Sequence, residues 1–583
     1  MSKETKQVDI LIVGGGPVGL FAANMAVRSG LTIRIIDIEA EPQHWGRGDW
    51  LHGRTLEILD FTGLNTDLLN TGSKVDALAV HHQLPPRNHT ATAGRTSIDF
   101  VPDSIVTKYK YEAISYNQFL HLLCVGQHIT ESNFQHTLSE NGIQVERPVT
   151  VSQFIREEGE DYPILATLKN KKNHATEKVR AKYLLGCDGA HSSIRQQLGI
   201  EYEGRGSKQN CGVLDALVQT NFPDRKSISF VRGPFGSHAC LFPRENNLTR
   251  VMVELPSDDR DRNQIPLETV QSEARRALLP HRVEFLAVMW WTVYSVGQHV
   301  ANRYTDWMNE EEEGNDNNNI PRVFLCGDAC HSQSPTLGQG LNTGIGDVFN
   351  LMWKIAMVNC GLAKSNLLST YETERRPIAQ KVIAIDRLVS GNDLKDEPLM
   401  SLINENQEFT TGFGISYAST ALSSSLPSRK LRIGDRAPDF KVVAYNTGKK
   451  ARLYDLWRTK HNWCFHLLIL AGDLTHTAER VSQALETFKD KEWSWLQIHL
   501  ITTTTQRGII DSSPSIINKQ ALLIDKINQT QCHSGYNVKD EDVPAAVIIR
   551  PDLHIGWMGQ FSLSMEDWLA DNINLDFQGW NVS

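Results

Sequence analysis

The chain has 583 residues, of which 40% are hydrophobic and 22% charged, and its formal net charge is −9. That length exceeds what one hydrophobic core usually serves, so two or more domains are expected in a composition typical of soluble globular proteins. The acidic balance argues against a nucleic-acid partner or a basic membrane-binding face, and no apolar run approaches the roughly 20 residues that span a bilayer.

The first elements form one unit. The start, Met1 to Lys6, is charged and runs into a short apolar strand, Val8 to Val13, which is not the pattern of a secretory signal. Gly14, Gly16 and Gly19 then stand at the G-x-G-x-x-G spacing, and Leu20 to Ser29 continues as a helix. In this motif the first glycine allows a tight turn, the second lets a pyrophosphate approach the backbone, and the third lets helix and strand pack closely. The helix N-terminus points free N–H groups at the phosphates. A second strand, Thr32 to Ile36, ends at Asp37, near the spacing of a carboxylate that binds a ribose 2′-OH. Strand, glycines, helix, strand and acid in that order predict a dinucleotide site.

Further on, Gly46 to Leu51 reads as a loop, followed by a helix with Leu56, Leu59 and Phe61 on one face. From about 75 to 103 the pattern is extended, with Pro85, Pro86 and Gly94 as breakers. Tyr116 to Leu123 reads as an amphipathic helix, and Ile143 to Glu146 and Pro163 to Leu168 as strands. A buried strand from Ala181 ends at Cys187-Asp188-Gly189 and passes into a helix near Arg195. Alternating runs from about 205 to 300, including Leu248 to Glu254, predict an antiparallel sheet. The tract Glu310 to Asn319 reads as a solvated insertion. A third buried strand, Val323 to Cys326, ends at Gly327-Asp328, and Gly338-Gln339-Gly340-Leu341-Asn342 opens a long helix to about Cys360. The Ser-rich stretch 420–429 reads as a linker, which divides the chain into 1–425 and a small α/β unit at 430–583.

The nine cysteines are scattered without a C-x-x-C pair, so neither a metal site nor a disulfide framework is expected, and a reducing cytoplasm is the simplest setting. Trp463-Cys464 lacks a second cysteine and opens a strand, so no thiol redox chemistry is expected there.

Taken together, Gly14-x-Gly16-x-x-Gly19, Cys187-Asp188-Gly189 and Gly327-Asp328 resemble the arrangement in single-component FAD-dependent aromatic hydroxylases. Within that class the chain is most similar to the phenol hydroxylase and 3-hydroxybenzoate 4-hydroxylase branch, over nearly its whole length. The resemblance implies an α/β fold with a Rossmann-like FAD-binding domain interleaved with an antiparallel substrate sheet, and a thioredoxin-like C-terminal domain. It also implies a homodimer that uses FAD, NADPH and O2 to hydroxylate an aromatic, phenolic substrate through a flavin C4a-hydroperoxide.

Site residues follow by position. Asp328 matches the family residue that accepts from the FAD ribityl hydroxyls. The backbone of Gly338 to Asn342, with Gln339, matches the segment that holds the flavin N1–C2=O edge. Arg54 and Gln118 match residues on FAD phosphate or ribityl, and Asp188 one ascribed to FAD and NADPH together, unless it supports its own turn. Asp49 matches the carboxylate that deprotonates the phenol; the alternative is a cap on the next helix. Arg250 and Tyr294 match active-site residues, although Tyr294 could be a core residue. Two departures stand out: Trp50 where phenol hydroxylases have glycine, and Met252 where they have tyrosine. They favour a larger phenolic substrate and leave epoxidation, Baeyer–Villiger or dearomatising oxidation as rival chemistries. A flavin-binding protein whose chemistry has lapsed is the rival outside enzymes.

Overall fold

The structure, a computed structural model, describes residues 5–83, 104–110, 117–256, 261–307, 320–390, 402, 405–417, 431–458, 463–486, 494–519, 521–525, 531–538 and 544–560. The expected extended stretch at 84–103, the acidic and Asn-rich tract and the Ser-rich linker lie outside these residues.

The glycine motif joins β1 (Lys6–Val13) to α1 (Pro17–Arg28), and β2 (Ile33–Ile36) follows. Next come β3 (Trp50–Leu51), α2 (Gly53–Phe61), α3 (Thr66–Thr71), β4 (Ser73–Val75), β5 (Ala77–Gln83), β6 (Ser104–Lys110), β7 (Leu122–Cys124) and α4 (Gln127–Glu140). A meander of β8 (Val149–Arg156), β9 (Ile164–Asn170) and β10 (Thr176–Gly186) leads to α5 (Ser193–Gln197). The first sheet runs β2-β1-β10-β9-β8, with β16 (Val323–Leu325) also paired to β10. Strands β2, β1, β10 and β16 are parallel, so their carboxyl ends share one edge. That edge gathers Gly14, Asp37, Asp188 and Asp328, the place where open parallel sheets bind ligands. Helices on its faces bury these strands, which is why each reads as an unbroken apolar run.

An eight-stranded sheet continues the chain with β11 (Tyr202–Thr220), β12 (Ile228–Arg232), β13 (His238–Pro243), β14 (Thr249–Glu254) and β15 (Val283–Ala301). Its order is β17-β15-β11-β14-β13-β12-β5-β6, where β17 is His331–Ser332. Period-two alternation separates its faces. Leu214, Val251 and Val253 pack with Val270 and Ala274 of α6 (Leu267–Ala277), while Val213 and Met252 belong to an apolar cluster with Trp50 and Phe242. Two long helices, α7 (Gln339–Asn359) and α8 (Thr370–Ser390), complete this part.

After residue 440 the chain forms its own seven-stranded sheet, β18 (Lys441–Ala444), β19 (Lys450–Arg452), β20 (Phe465–Gly472), β21 (Leu496–Thr502), β22 (Leu523–Ile524), β23 (Ala545–Ile549) and β24 (Ile555–Gln560). It is docked through ion pairs, one buried and one partly buried. Arg436 Nε reaches Glu57 Oε2 of α2 at 2.9 Å, and Arg550 Nη1 reaches Glu374 Oε1 of α8 at 2.6 Å. Among the described residues no helix is long and apolar enough to cross a membrane.

Two expected elements differ. The helix over Tyr116–Leu123 is absent from its described part: residues 117–121 have no regular structure and Leu122–Cys124 is strand β7. Pairing with β3 on one side and β4 on the other outweighs a local helical period. The strand expected at Ile143–Glu146 reduces to a single bridge between Ile36 and Glu146.

Candidate active site

The glycine motif is shaped for a phosphate. Gly14 has φ +112°, and a Cβ there would lie 2.2 Å from the Cys187 carbonyl oxygen; one on Gly19 would lie 2.0 Å from the Gly14 oxygen. Nothing lies within 4 Å of the Cβ position of Gly16, so the space above the α1 N-terminus is open. Pro17 occupies the first turn, where a missing N–H costs nothing. Asp37 stands beside this turn: its Oδ2 accepts from Gly15 N at 2.5 Å and its Oδ1 pairs with Arg147 Nη1 at 3.1 Å. A carboxylate with these partners keeps lone pairs for a ribose hydroxyl.

Across the same edge, Asp328 lies in the short turn Gly327–Ala329. It is open to solvent, yet the protein massed around it raises its pKa, with His331 and Arg47 drawing it partly back. The turn is pinned by Asp347 of α7, which accepts from Gly327 N at 3.1 Å, His331 Nε2 at 2.8 Å and Arg375 Nε at 2.8 Å. A Cβ on Gly340 would meet Gln333 Nε2 at 3.3 Å and Asp328 Oδ1 at 3.8 Å. Both polar atoms of the Gln333 amide are buried without a hydrogen-bond partner. The first N–H groups of a helix have no partner within it, so Asp328, Gln333 and the start of α7 converge as a cradle of donors and acceptors.

Gly338 caps α7 with φ +59° and touches the Trp50 indole, whose Nε1 would lie 1.8 Å from a Cβ at that position. The side chains of Gln339 and Asn342 turn back into the protein. Gln339 Nε2 donates to Thr410 O at 2.7 Å; Asn342 Nδ2 donates to Trp50 O at 3.1 Å and its Oδ1 accepts from His52 N at 2.8 Å. These bonds fix the helix start and leave its backbone to face the ligand.

Asp49 lies on the other side of Trp50, in a buried charge cluster. Arg250 places Nε and Nη2 on the two oxygens of Asp215 at 2.8 and 2.9 Å. Arg244 places Nε and Nη2 on Glu245 at 3.0 and 2.7 Å and Nη1 on Asp215 at 3.1 Å. Asp49 is held more loosely: its Oδ1 is 3.2 Å from Arg250 Nη1, its Oδ2 is 3.9 Å from Arg244 Nη1, and Oδ2 has no hydrogen bond. Burial raises the Asp49 pKa; Arg250 and Arg244 recover only part of that, and Asp215 and Glu245 add to it. Burial also works against Asp215 and Glu245, but their bonds to the arginines carry both below the usual carboxylate range. The cluster thus holds one carboxylate poised to take a proton beside two that stay charged.

Strand register sets what surrounds this carboxylate. Trp290, Asp215, Arg250 and Phe242 form one cross-strand row; Thr292, Val213, Met252, Cys240 and Phe230 form the next. Tyr294 pairs with Cys211, and its buried hydroxyl has the Cys211 thiol as its neighbour. Trp50 closes the face, 5.2 Å from the Phe242 ring.

The remaining expected residues are placed as follows. The Arg54 guanidinium reaches Glu57 at 3.2 Å, the Tyr454 hydroxyl at 3.4 Å and the Asp552 carbonyl at 3.0 Å, against the C-terminal sheet. Asp188 supports its own turn, accepting from Ser192 Oγ at 2.5 Å and Ser193 N at 2.7 Å at the start of α5. Gln118 lies in the loop before β7, not on a helix. Asp49 does not cap α2, whose N-cap is His52 without a side-chain bond. Sequence reasoning missed Asp215, Arg244, Glu245 and Asp347. The usable signal was a lone acid within an apolar run, as in Val213-Leu214-Asp215-Ala216-Leu217-Val218. A cavity of about 40 Å³ between α2, α7, α8 and His554 has room for a few waters, and neither Asp49, Arg250 nor Asp328 lines it.

An open phosphate turn and a cradle of donors and acceptors at the α7 start, with a buried carboxylate and an apolar face beyond them, fit a dinucleotide cofactor beside a substrate site. Residues 7–386 match the FAD binding domain family model, and the chain belongs to that family as an FAD-dependent monooxygenase. It is 31% identical over 518 residues to a phenol 2-monooxygenase of Aspergillus fumigatus, spanning 86% of this chain and 81% of that one. It is 28% identical over 500 residues to the 3-hydroxybenzoate 4-monooxygenase of Comamonas testosteroni, spanning 80% and 75%. The solved structure of aklavinone-11 hydroxylase with FAD and aklavinone superposes with a TM-score of 0.69 at 19% identity, covering 98% of this chain and 100% of that one, which shows the shared fold.

Proposed function

We propose that the protein hydroxylates a phenolic ring using FAD, NADPH and O2, with Asp49 as the group that takes the phenol proton. The observation that carries this reading is the Asp49 carboxylate, buried, raised in pKa and with one oxygen unpartnered at the edge of an apolar face. The Gly14–Gly19 turn, Asp37, Asp328 and the backbone of Gly340 and Leu341 would hold FAD, and the bound flavin, reduced by NADPH, would supply the activated oxygen. Everything else is the work of the chain. Asp49 Oδ2 accepts the phenol proton, which raises electron density at the ortho and para carbons. The positive charge of Arg250, whose Nη1 is 3.2 Å from Asp49 Oδ1, stabilises the phenolate that results. Met252, Val213 and Phe242 pack against the ring and exclude water, and the Tyr294 hydroxyl, beside the Cys211 thiol, supplies a further hydrogen bond. In the same reading residues 430–583 are a thioredoxin-like scaffold without thiol chemistry, and the enzyme works as a homodimer in the cytoplasm. The nine unpaired cysteines fit a reducing compartment. Exposed Met289 and Trp291 on β15 offer apolar surface to a second copy.

The test is Asp49→Asn. The amide cannot take the proton, and loss of a positioned general base typically costs about 100- to 10,000-fold. FAD should remain bound and reducible, while product formed per NADPH consumed collapses in favour of hydrogen peroxide. Unchanged coupling and an unchanged single-turnover hydroxylation rate would reject Asp49 as the base.

A further inference from the structure

We infer that the site selects neutral phenols and turns away phenols that carry a carboxylate; this rests on the phenolic reading of the Asp49 site and deepens it. The argument is a count of buried charge. Two cations, Arg244 and Arg250, face three anions, Asp49, Asp215 and Glu245, and every one of the five residues is at most 5% exposed. The cluster therefore carries a net charge of −1 when Asp49 is ionised.

Both arginines are already committed to the carboxylates around them. Arg244 spends Nε and Nη2 on Glu245 and Nη1 on Asp215. Arg250 spends Nε and Nη2 on Asp215, and its Nη1 donates to the Arg47 carbonyl and faces Asp49. Among the described residues the adjoining face adds no cation: Val213, Phe230, Phe242, Met252 and Trp290 present carbon, sulfur or indole. His128 sits near Glu245, but burial lowers its pKa and keeps it neutral. Arg47 is exposed, and its charge lowers the pKa of Asp328 and of Glu131.

A neutral phenol suits this cluster. When Asp49 takes its proton, one negative charge moves from carboxylate to phenolate and the net charge stays at −1. A hydroxybenzoate would bring the same site to −2, with both cations already outnumbered by three carboxylates, and burying an anion without a cation of its own is strongly unfavourable.

The experiment uses ligands of matched shape with the FAD-loaded, unmodified protein. 3-Hydroxybenzamide and 3-hydroxybenzoate are titrated at neutral pH while the flavin absorbance is followed, with 3-methoxybenzamide as a third ligand. The amide should bind at least tenfold more tightly than the carboxylate. Glu245→Gln, which removes one negative charge at constant size, should shrink that ratio several-fold by strengthening carboxylate binding. Equal or tighter binding of the carboxylate to the unmodified protein would overturn the neutral-ligand inference while leaving the phenolic reading intact. So would a folded Glu245→Gln protein with an unchanged ratio. If the methoxy compound binds as well as the hydroxy amide, or neither phenol perturbs the flavin, the phenolic reading itself falls and takes this inference with it. The comparison on the unmodified protein decides the matter even if the variant fails to fold.

Discussion

Gly338→Ala offers a quantitative test of how the cofactor cradle is built. Two costs add at this position. The backbone sits at φ +59°, where a residue with a Cβ is strained by roughly 1–2 kcal/mol. The new Cβ would also lie 1.8 Å from Trp50 Nε1, so the indole or the start of α7 must move. Overpacking of that kind typically costs about 1–3 kcal/mol. The expected total is about 2–5 kcal/mol, divided between folding stability and FAD affinity, because the Asn342 bonds tie the start of α7 to β3. Denaturant unfolding, and FAD binding to apoprotein followed by flavin fluorescence, measure the two parts. Trp50→Ala removes the steric share and leaves only the backbone share. The double mutant should then show a coupling of about 1–3 kcal/mol between the two positions. A Gly338→Ala penalty that is the same with and without Trp50 would refute the packing argument. A total loss below about 0.5 kcal/mol would refute both parts of it.

Three further outcomes follow from the same geometry. Burial raises the Asp49 pKa in the folded protein, so its stabilising contribution is fully present below the ordinary value of 3.8 and is lost as pH rises through the raised value. Asp49→Asn should therefore be more stable than the parent at neutral pH, with the difference vanishing in acid, and the parent's hydroxylation rate should fall with pH through an acid limb that the variant lacks. Glu57→Gln leaves Arg54 and Arg436 buried beside a neutral amide, and breaking such a pair costs about 3–5 kcal/mol, measurable as a lowered denaturation midpoint. Cys464 is buried at the edge of β20, which raises its thiol pKa, so Cys464→Ser should keep turnover within about two-fold under NADPH and O2.

The sequence by itself determined the parts whose physics is local. An apolar strand, three glycines and a helix start within a few residues specify a phosphate-binding turn whatever lies elsewhere, and Gly14, Gly16 and Gly19 meet that specification. The same holds for Asp37 and Asp328, each placed at a strand end by the strand that precedes it. Only the tertiary structure decided which charges meet. Arg250 finds Asp215 from 35 residues away, Arg54 finds the Asp552 carbonyl from 498 away, and Leu122–Cys124 becomes a strand because β3 and β4 flank it. A guanidinium or a carboxylate carries no local signal of its partner, since charge and desolvation act through space and not along the chain. For that reason Asp49 could be named from the sequence, whereas the burial that raises its pKa, and the four charges that partly offset or add to it, emerged only when distant strands and a loop were brought together.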